Sequence, residues 1–234
     1  MIPISDDPVR RTVPIITIAL ILVNVLVFLY ELSLGNRLEG FVQAFGAVPL
    51  EITSGRDLPP AAPLGNVYLT ILTSMFMHGG WLHLISNMLY LWVFGDNVED
   101  RFGHLGYLAF YLICGAVATL AQVAIAPDST LPSIGASGAI AGVLGAYLVM
   151  FPSARVRTVL VLGIFILIPR IPALLLIGFW FLLQIVSGLA QIGVAQETGG
   201  VAFWAHVGGF IAGAVLALLF RPRAPAAAGG LRSW

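Results

Sequence analysis

The sequence predicts an all-α membrane protein, a six-transmembrane-helix bundle with a large first outer loop. Of its 234 residues, 59% are hydrophobic and only 9% are charged, and the mean hydropathy is +0.98. Soluble domains are typically about 45–50% apolar and about 25% charged, so most of this chain must face lipid. Predominantly apolar runs recur along the chain between polar or proline-containing segments. These two observations define the fold class.

Six apolar runs are interpreted as spans, because about 20 residues rising 1.5 Å each cross a hydrocarbon core of about 30 Å. They cover residues 13–32, 81–95, 105–126, 137–151, 171–194 and 203–220. The segment 158–168 is too short to span, and Pro169 and Pro172 prevent its merger with the next helix. We therefore predict that it lies in the membrane interface. Arginine bias favours this arrangement, since nine arginines fall in predicted inside segments and only Arg37 and Arg56 fall outside.

The same pattern divides the chain into three parts. They are a cytoplasmic N-terminus (1–12), a six-helix membrane domain (13–220) and a flexible cytoplasmic tail rich in Pro, Ala and Gly (221–234). The first apolar run lacks a small-residue cleavage site, so we interpret it as a retained helix and not a signal peptide. We expect a multi-pass protein of a bacterial inner membrane with both termini in the cytoplasm.

The segments outside the membrane indicate no second domain and no nucleic-acid partner. The loop 33–77 is the largest outside element, and its stretch 38–50 is compatible with a short helix on the membrane surface. Eleven basic residues balance eleven acidic ones without a long basic block, which argues against a nucleic-acid ligand. The single cysteine, Cys114, permits no disulfide framework.

Two residues at the ends of predicted spans point to chemistry. Ser137 opens the fourth span within Gly-Ala-Ser-Gly, and His206 lies at the head of the sixth within Ala-His-Val-Gly-Gly. Small-residue faces that let helices approach closely in lipid are formed by Gly138, Gly142 and Gly145 and by Gly209 and Gly213. These parallel spans would bring the serine hydroxyl to an imidazole base, which makes it a nucleophile. No acidic residue lies away from the span ends, so a two-residue device is predicted.

The fourth span is short, which indicates where this pair lies. Its 15 residues make roughly 22 Å of helix against a hydrocarbon core of about 30 Å. If its inner end reaches the inner interface, Ser137 sits below the outer surface. Irregular backbone at that depth requires surrounding protein or a water-filled cavity. We therefore expect Ser137 on the floor of a depression that water can reach.

The start of the second span supplies candidate donors for a developing oxyanion. His83 and Asn87 are four residues apart and share one helix face. With the Ser137 backbone N–H they are predicted to form the oxyanion hole, while Gly135 and His78 support the site. A zinc site is the alternative for three histidines, but the spacing and the lack of a nearby carboxylate disfavour it. We predict neither a metal nor a cofactor.

Together these motifs resemble the rhomboid family of intramembrane serine proteases, from the first span to the sixth. The family's motifs appear as His78, His83 and Asn87; Glu99 and Gly103; Gly135 to Gly138; and Ala205, His206, Gly209 and Gly213. The resemblance implies a six-helix core whose Ser–His dyad opens to the outer face. It also implies lateral access beside the fifth helix and cleavage of membrane-protein substrates within or beside a transmembrane helix.

Two departures from the family pattern, and two rival functions, remain open at this point. The Trp-Arg pair of the first loop is replaced by Tyr68 and Leu69, which leaves the loop's anchoring unexplained. Ala141 replaces an aromatic residue on which the catalytic histidine stacks, so something else must hold the His206 ring. One rival is an inactive member that escorts membrane clients. The other is a small transporter, which is disfavoured because the ionisable groups cluster at one face.

Overall fold

The computed structural model describes residues 1–7, 12–191 and 200–220, and this part of the chain is mostly helical. Its α-helices are α1 (Ile15–Ser33), α2 (Leu38–Phe45), α3 (Pro49–Ser54), α4 (Thr70–Thr73), α5 (Trp81–Phe102), α6 (His104–Ile125), α7 (Ser137–Met150), α8 (Ala173–Gln191) and α9 (Phe203–Phe220). Its strands are β1 (Ile2–Asp6), β2 (Arg155–Leu162), β3 (Phe165–Leu167) and β4 (Arg170–Pro172). The predicted tail 221–234 lies outside the described residues.

Within the part of the chain that the structure describes, four helices, α1, α6, α8 and α9, are long and apolar enough to cross a membrane. Their outward faces carry large apolar side chains, among them Leu26 (64% exposed) and Leu219 (72% exposed). Large exposed apolar areas mark interaction surfaces, including those that face a membrane, and here they lie on helices long enough to span one. The protein is therefore a multi-pass membrane protein, and α9 has the bounds predicted for the sixth span.

The other two predicted spans are also helical, as α5 and α7. Helix α5 extends past the predicted end at residue 95 through a charged segment as far as Phe102. Helix α7 has 14 residues, or about 21 Å of helix, and every residue from Gly138 to Tyr147 is buried. It is enclosed by α5, α6, α8 and α9, so the short helix that begins with Ser137 is surrounded by protein.

The expected close approach of the two glycine-bearing helices is confirmed. A Cβ atom added at Gly209 would overlap the carbonyl oxygen of Gly138, and one added at Gly213 would overlap that of Gly142. The backbones of α7 and α9 are thus in direct contact, as small-residue faces allow in a membrane. This packing sets the distance between the first turns of the two helices.

The prediction of an all-α protein is wrong at the end of the bundle opposite to Ser137. Segment 158–168 lies within an antiparallel hairpin of β2 and β3, whose turn contains Gly163 at φ +61°. Strand β1, in the predicted N-terminal segment 1–12, pairs with β2, and β4 extends the sheet on the other side. The segment is rich in β-branched residues and too short for a span, and both properties favour strands.

Strand β1 is joined to the helices through a buried carboxylate. Asp6 accepts hydrogen bonds from the Tyr147 hydroxyl (2.6 Å) and the Asn97 side-chain amide (2.9 Å). Burial raises the pKa of Asp6 to about 6 and outweighs the opposing effect of the Tyr147 hydrogen bond. Because Tyr147 lies on α7 and Asn97 on α5, this one side chain connects the sheet to both helices.

Glu99 of the family-like motif fixes the start of α1. Its buried carboxylate accepts hydrogen bonds from the Ile16 N–H (2.9 Å), the Thr17 N–H (2.8 Å) and the Thr17 hydroxyl (2.7 Å). The first N–H groups of a helix have no partner within it, and an acidic group there is favourable. His104 Nδ1 lies 2.6 Å from the same carboxylate, and Gly103 turns the chain from α5 into α6 at φ +72°.

The connection between α1 and α5 is attached to the loop that leads to Ser137. The predicted helical stretch 38–50 forms α2 and the start of α3, with a break between them. Ala47 and Ser133 exchange two backbone hydrogen bonds of 3.0 and 2.9 Å, and the Leu50 N–H donates to the Ser129 carbonyl (3.0 Å). The Thr53 hydroxyl also bonds the Pro127 carbonyl (3.0 Å). Backbone pairing therefore anchors the loop where the family's Trp-Arg pair is missing.

Candidate active site

Ser137 and His206 meet at the first turns of α7 and α9. The Ser137 hydroxyl oxygen lies 2.7 Å from Nε2 of His206, within hydrogen-bond distance. His206 is only 8% exposed, whereas Ser137 is half-buried. The glycine contacts between α7 and α9 start one residue after Ser137 and three after His206. The contact predicted from the sequence is therefore present, and the helix packing accounts for it.

The other ring nitrogen of His206 is held by α8. Its Nδ1 lies 2.8 Å from Oε1 of Gln184, which is itself 8% exposed. The Trp180 ring lies against the imidazole, with centroids 5.7 Å apart and planes at 36°. Ala141 is fully buried and too small to contact the ring in this way. Helix α8 thus supplies both an aromatic surface and a polar partner for the His206 ring, in place of the aromatic residue that Ala141 replaces.

Gln184 was not predicted from the sequence, although a signal for it was present. It is a polar amide within the apolar run Phe-Leu-Leu-Gln-Ile-Val, and such a group is costly in lipid unless it has a partner. It also lies four residues after Trp180 and so on the same helix face. The sequence did not indicate which distant residue would be that partner.

His83 lies beside Gly135, the glycine two residues before Ser137. The Gly79 N–H donates to Nδ1 of His83 (3.3 Å), so the neutral ring carries its proton on Nε2. A Cβ atom at Gly135 would lie 2.9 Å from Nε2 of His83 and 3.6 Å from the Ser137 hydroxyl oxygen. Gly135 also has φ +130°, a conformation that favours glycine. This residue therefore leaves room for the imidazole next to the serine.

His78 contacts both residues predicted for the oxyanion hole. Its Nε2 accepts a hydrogen bond from the Asn87 amide (3.1 Å), and its ring packs edge-on against that of His83 at 5.0 Å. Its backbone N–H donates to Glu31 (3.2 Å), which ties this loop to α1. Burial lowers the pKa of His78 to about 4, so the ring is neutral and able to accept.

Not every predicted site residue touches the serine. Among the described residues, no hydrogen bond joins His83 or Asn87 to Ser137. Within the same ranges, no group of three or more His, Cys, Asp or Glu side chains is arranged to hold a metal ion. Three polar side chains therefore surround Ser137 at different distances. His206 contacts the serine hydroxyl, His83 has its Nε2–H beside Gly135, and the Asn87 amide is hydrogen-bonded to His78.

The fold and the site together define a multi-pass membrane protein with a Ser–His pair sunk into its helical bundle. The sequence matches the family model described as the Rhomboid domain over residues 65–223. The chain therefore belongs to the rhomboid family. The matched region begins in the connection between α1 and α5 and includes α5 to α9 and the whole candidate site.

Similar proteins come from bacteria and from organelles. Rhomboid protease GluP of Bacillus subtilis is 31% identical over 206 residues, which cover 88% of this chain and 35% of that protein. Rhomboid protein 1, mitochondrial, of Saccharomyces cerevisiae is 32% identical over 151 residues (62% of this chain, 40% of that protein). Rhomboid-like protein 11, chloroplastic, of Arabidopsis thaliana is 34% identical over 99 residues (41% and 35%). The chain thus spans little more than a third of the length of these relatives.

Proposed function

We propose that this protein is a serine endopeptidase that cleaves membrane-protein substrates within or beside a transmembrane helix. The observation that carries the proposal is the 2.7 Å contact between the Ser137 hydroxyl and Nε2 of His206. A hydroxyl in this position can lose its proton to the imidazole as it attacks a carbonyl. Membership of the rhomboid family supports the choice of a peptide bond in a membrane protein as substrate.

The proposed reaction has two steps with balanced proton transfers. The Ser137 oxygen attacks the carbonyl carbon of the scissile bond while His206 takes its proton. The resulting imidazolium then gives that proton to the leaving amine, the C–N bond breaks and an acyl ester remains on Ser137. A water molecule, deprotonated by His206, attacks the ester carbonyl. The imidazolium then gives that proton to the Ser137 oxygen as the ester C–O bond breaks and the new carboxyl end leaves.

Three N–H groups are proposed to stabilise the oxyanion. They are Nε2–H of His83, a side-chain N–H of Asn87 and the backbone N–H of Ser137 at the start of α7. The acceptor role of Nδ1 in His83 supports the first, and the contact of the Asn87 amide with His78 orients the second. Donors held before the charge develops are the most effective kind.

The helices that enclose the site support a proposal for the membrane arrangement. We propose six spans, α1, α5, α6, α7, α8 and α9, within a membrane domain of residues 13–220, with both termini on the inner side. Ser137 then faces the outer side at the end of the short α7. We propose that a substrate helix approaches from the lipid beside α8, where a small apolar cleft next to α5 is lined by Phe94, Trp180 and Leu183 among others. Trp180 belongs both to this cleft and to the site, since its ring also packs on His206.

Two parts of the proposal concern the substrate and the cellular membrane. A helical peptide bond is shielded by its own hydrogen bonds, so substrates with helix-weakening residues near the cut should be preferred. A bacterial inner membrane remains our prediction for the location, while the similar proteins include bacterial, mitochondrial and chloroplast members.

Cleavage of a defined substrate tests this proposal. Purified full-length protein in detergent is incubated with a single-pass membrane protein whose transmembrane helix contains Gly and Pro. We expect a discrete cleavage product that disappears in Ser137→Ala. Ser133→Ala is the matched control, because Ser133 bonds Ala47 through its backbone alone, and it should cleave like the wild type. A product that persists in Ser137→Ala contradicts the proposal, as does a wild type that binds the substrate without cutting it.

A further inference from the structure

We infer that Gln184 is a positioning residue that fixes which nitrogen of His206 carries the proton, and so makes His206 competent to act as a base. The inference deepens the proposed function and rests on it for the effect on turnover. It starts from three observations on α8 and α9: the 2.8 Å contact of Gln184 Oε1 with Nδ1 of His206, the hydrogen bond of the same amide to its own helix, and the burial of both side chains.

The orientation of the Gln184 amide is determined by its second partner. Its Nε2 donates to the backbone carbonyl of Trp180 at 3.3 Å. In the reversed amide, Oε1 of Gln184 would face the carbonyl oxygen of Trp180, and two acceptors would then be in contact. The N–H₂ group would have no acceptor on its own helix. An amide orientation is assigned from such a network. The carbonyl oxygen of Gln184 therefore faces His206.

This orientation determines the tautomer of the imidazole. An amide oxygen only accepts hydrogen bonds, so Nδ1 of His206 must carry a proton to satisfy it. In the neutral ring Nε2 then has a free lone pair, and this is the atom 2.7 Å from the Ser137 hydroxyl. The other tautomer would present Nε2–H to the serine and could take no proton from it. Gln184 thus excludes the unproductive tautomer.

The two imidazoles nearest the serine are fixed in opposite tautomers by different partners. Nδ1 of His83 accepts from the Gly79 N–H, which puts the His83 proton on Nε2. Nδ1 of His206 donates to Gln184, which removes the proton from its Nε2. One ring is thereby a donor and the other an acceptor. An acid–base step with oxyanion stabilisation requires this division of roles.

A neutral amide suits this buried position better than a carboxylate would. Burying an unpaired charge is costly in an apolar surrounding, whereas a satisfied amide is tolerated. When His206 becomes an imidazolium during the reaction, Nδ1–H still donates to the same oxygen. The Trp180 ring, at 5.7 Å between centroids, limits rotation of the imidazole away from it. Orientation of a base by a third group is a general feature of activated nucleophiles.

Turnover of three variants tests the inference. Gln184→Met keeps the shape but removes the acceptor, so we expect kcat to fall about tenfold with KM unchanged, which corresponds to one neutral hydrogen bond of about 1.4 kcal/mol. Gln184→Glu restores an acceptor and should recover most of the lost kcat. Gln122→Met makes the same substitution on α6, where the amide oxygen accepts no hydrogen bond, and should match the wild type. A Gln184→Met kcat within twofold of wild type, or a loss confined to KM, would overturn the inference.

The tautomer itself is the second readout, and it does not depend on proteolysis. Nitrogen-15 spectra of histidine-labelled protein, with His206 assigned through His206→Ala, should show a protonated Nδ1 in the wild type and a mixture of tautomers in Gln184→Met. An unchanged spectrum in a folded Gln184→Met overturns the inference even if the wild type is an active protease. A changed spectrum in a protein that cuts no substrate supports the inference and contradicts the proposed function. If Gln184→Met does not fold, the wild-type spectrum decides: a protonated Nδ1 in His206 supports the inference, and a protonated Nε2 with a bare Nδ1 overturns it.

Discussion

Replacing Gly209 with alanine should separate the two helices that carry the Ser–His pair. A Cβ atom at this position would overlap the carbonyl oxygen of Gly138 and lie 3.3 Å from the Cβ of Ala118. Non-bonded heavy atoms are at their best separation near 3.5–4.0 Å, so the backbones must move apart by at least about 1 Å. Gly138 is the neighbour of Ser137 in the chain, so the displacement reaches the 2.7 Å contact directly.

The size of the effect follows from this displacement. A misplacement of about 1 Å at a reacting group can lower the rate about 100-fold. Overpacking of a close helix contact costs about 1–3 kcal/mol of stability. We therefore expect kcat/KM of Gly209→Ala to fall about 100-fold, together with a lower unfolding temperature in detergent.

The control for Gly209→Ala is Gly178→Ala on α8. A Cβ atom at Gly178 would meet no heavy atom within 4 Å, and the substitution also removes the helix cost of glycine. Both variants are assayed for kcat/KM on the same membrane substrate and for thermal unfolding by circular dichroism. Gly178→Ala should equal the wild type in activity. A Gly209→Ala protein with wild-type activity and stability would refute the claim that glycine packing positions the pair.

Two further predictions concern the end of the bundle opposite to Ser137. Glu99→Ala leaves the first N–H groups of α1 without their acceptor and should destabilise the protein by about 1–3 kcal/mol. The control Glu39→Ala removes an exposed carboxylate and should unfold like the wild type. Equal melting temperatures for the wild type and both variants would contradict this prediction. Because the folded pKa of Asp6 is about 6 and its ordinary value is 3.8, the folded protein holds this proton more tightly, so the free energy of unfolding should fall as pH rises between these values. Asp6→Asn should remove that contribution, and an unchanged slope of melting temperature between pH 4 and pH 6 would count against it.

The sequence was sufficient for the Ser–His contact because the information was local to each helix. Ser137 and His206 each stand next to glycines, and glycine faces predict close packing in lipid. The bounds of α9 were likewise clear from one apolar run that ends before Arg221. The predicted topology also placed the first turns of both helices on the same side of the membrane.

The sheet was missed because its partners are far apart in the chain. A short apolar run such as 158–168 fits a strand or a buried helix segment equally well by periodicity. Its assignment depends on pairing with β1, more than 140 residues away, and on the Asp6 contact with Tyr147. The periodicity of one segment does not identify such a partner.

Two further features were not predicted from the sequence, and the reasons are related. The connection between α1 and α5 is anchored by backbone groups such as the Leu50 N–H and the Ser129 carbonyl, and side-chain motifs do not reveal backbone hydrogen bonds. Gln184 contacts a histidine 22 positions away, so the sequence showed an unexplained buried amide but not its partner. Both had to be read from the three-dimensional contacts.

The most direct test is covalent labelling of Ser137 by a fluorophosphonate, with the modified peptide identified by mass spectrometry. This reagent captures a serine that has been made nucleophilic by a neighbouring base. Wild-type protein should carry the label on Ser137, and His206→Ala should carry none there although Ser137 is intact. Equal labelling of Ser137 in both proteins, or an unlabelled Ser137 in the wild type, would contradict the account.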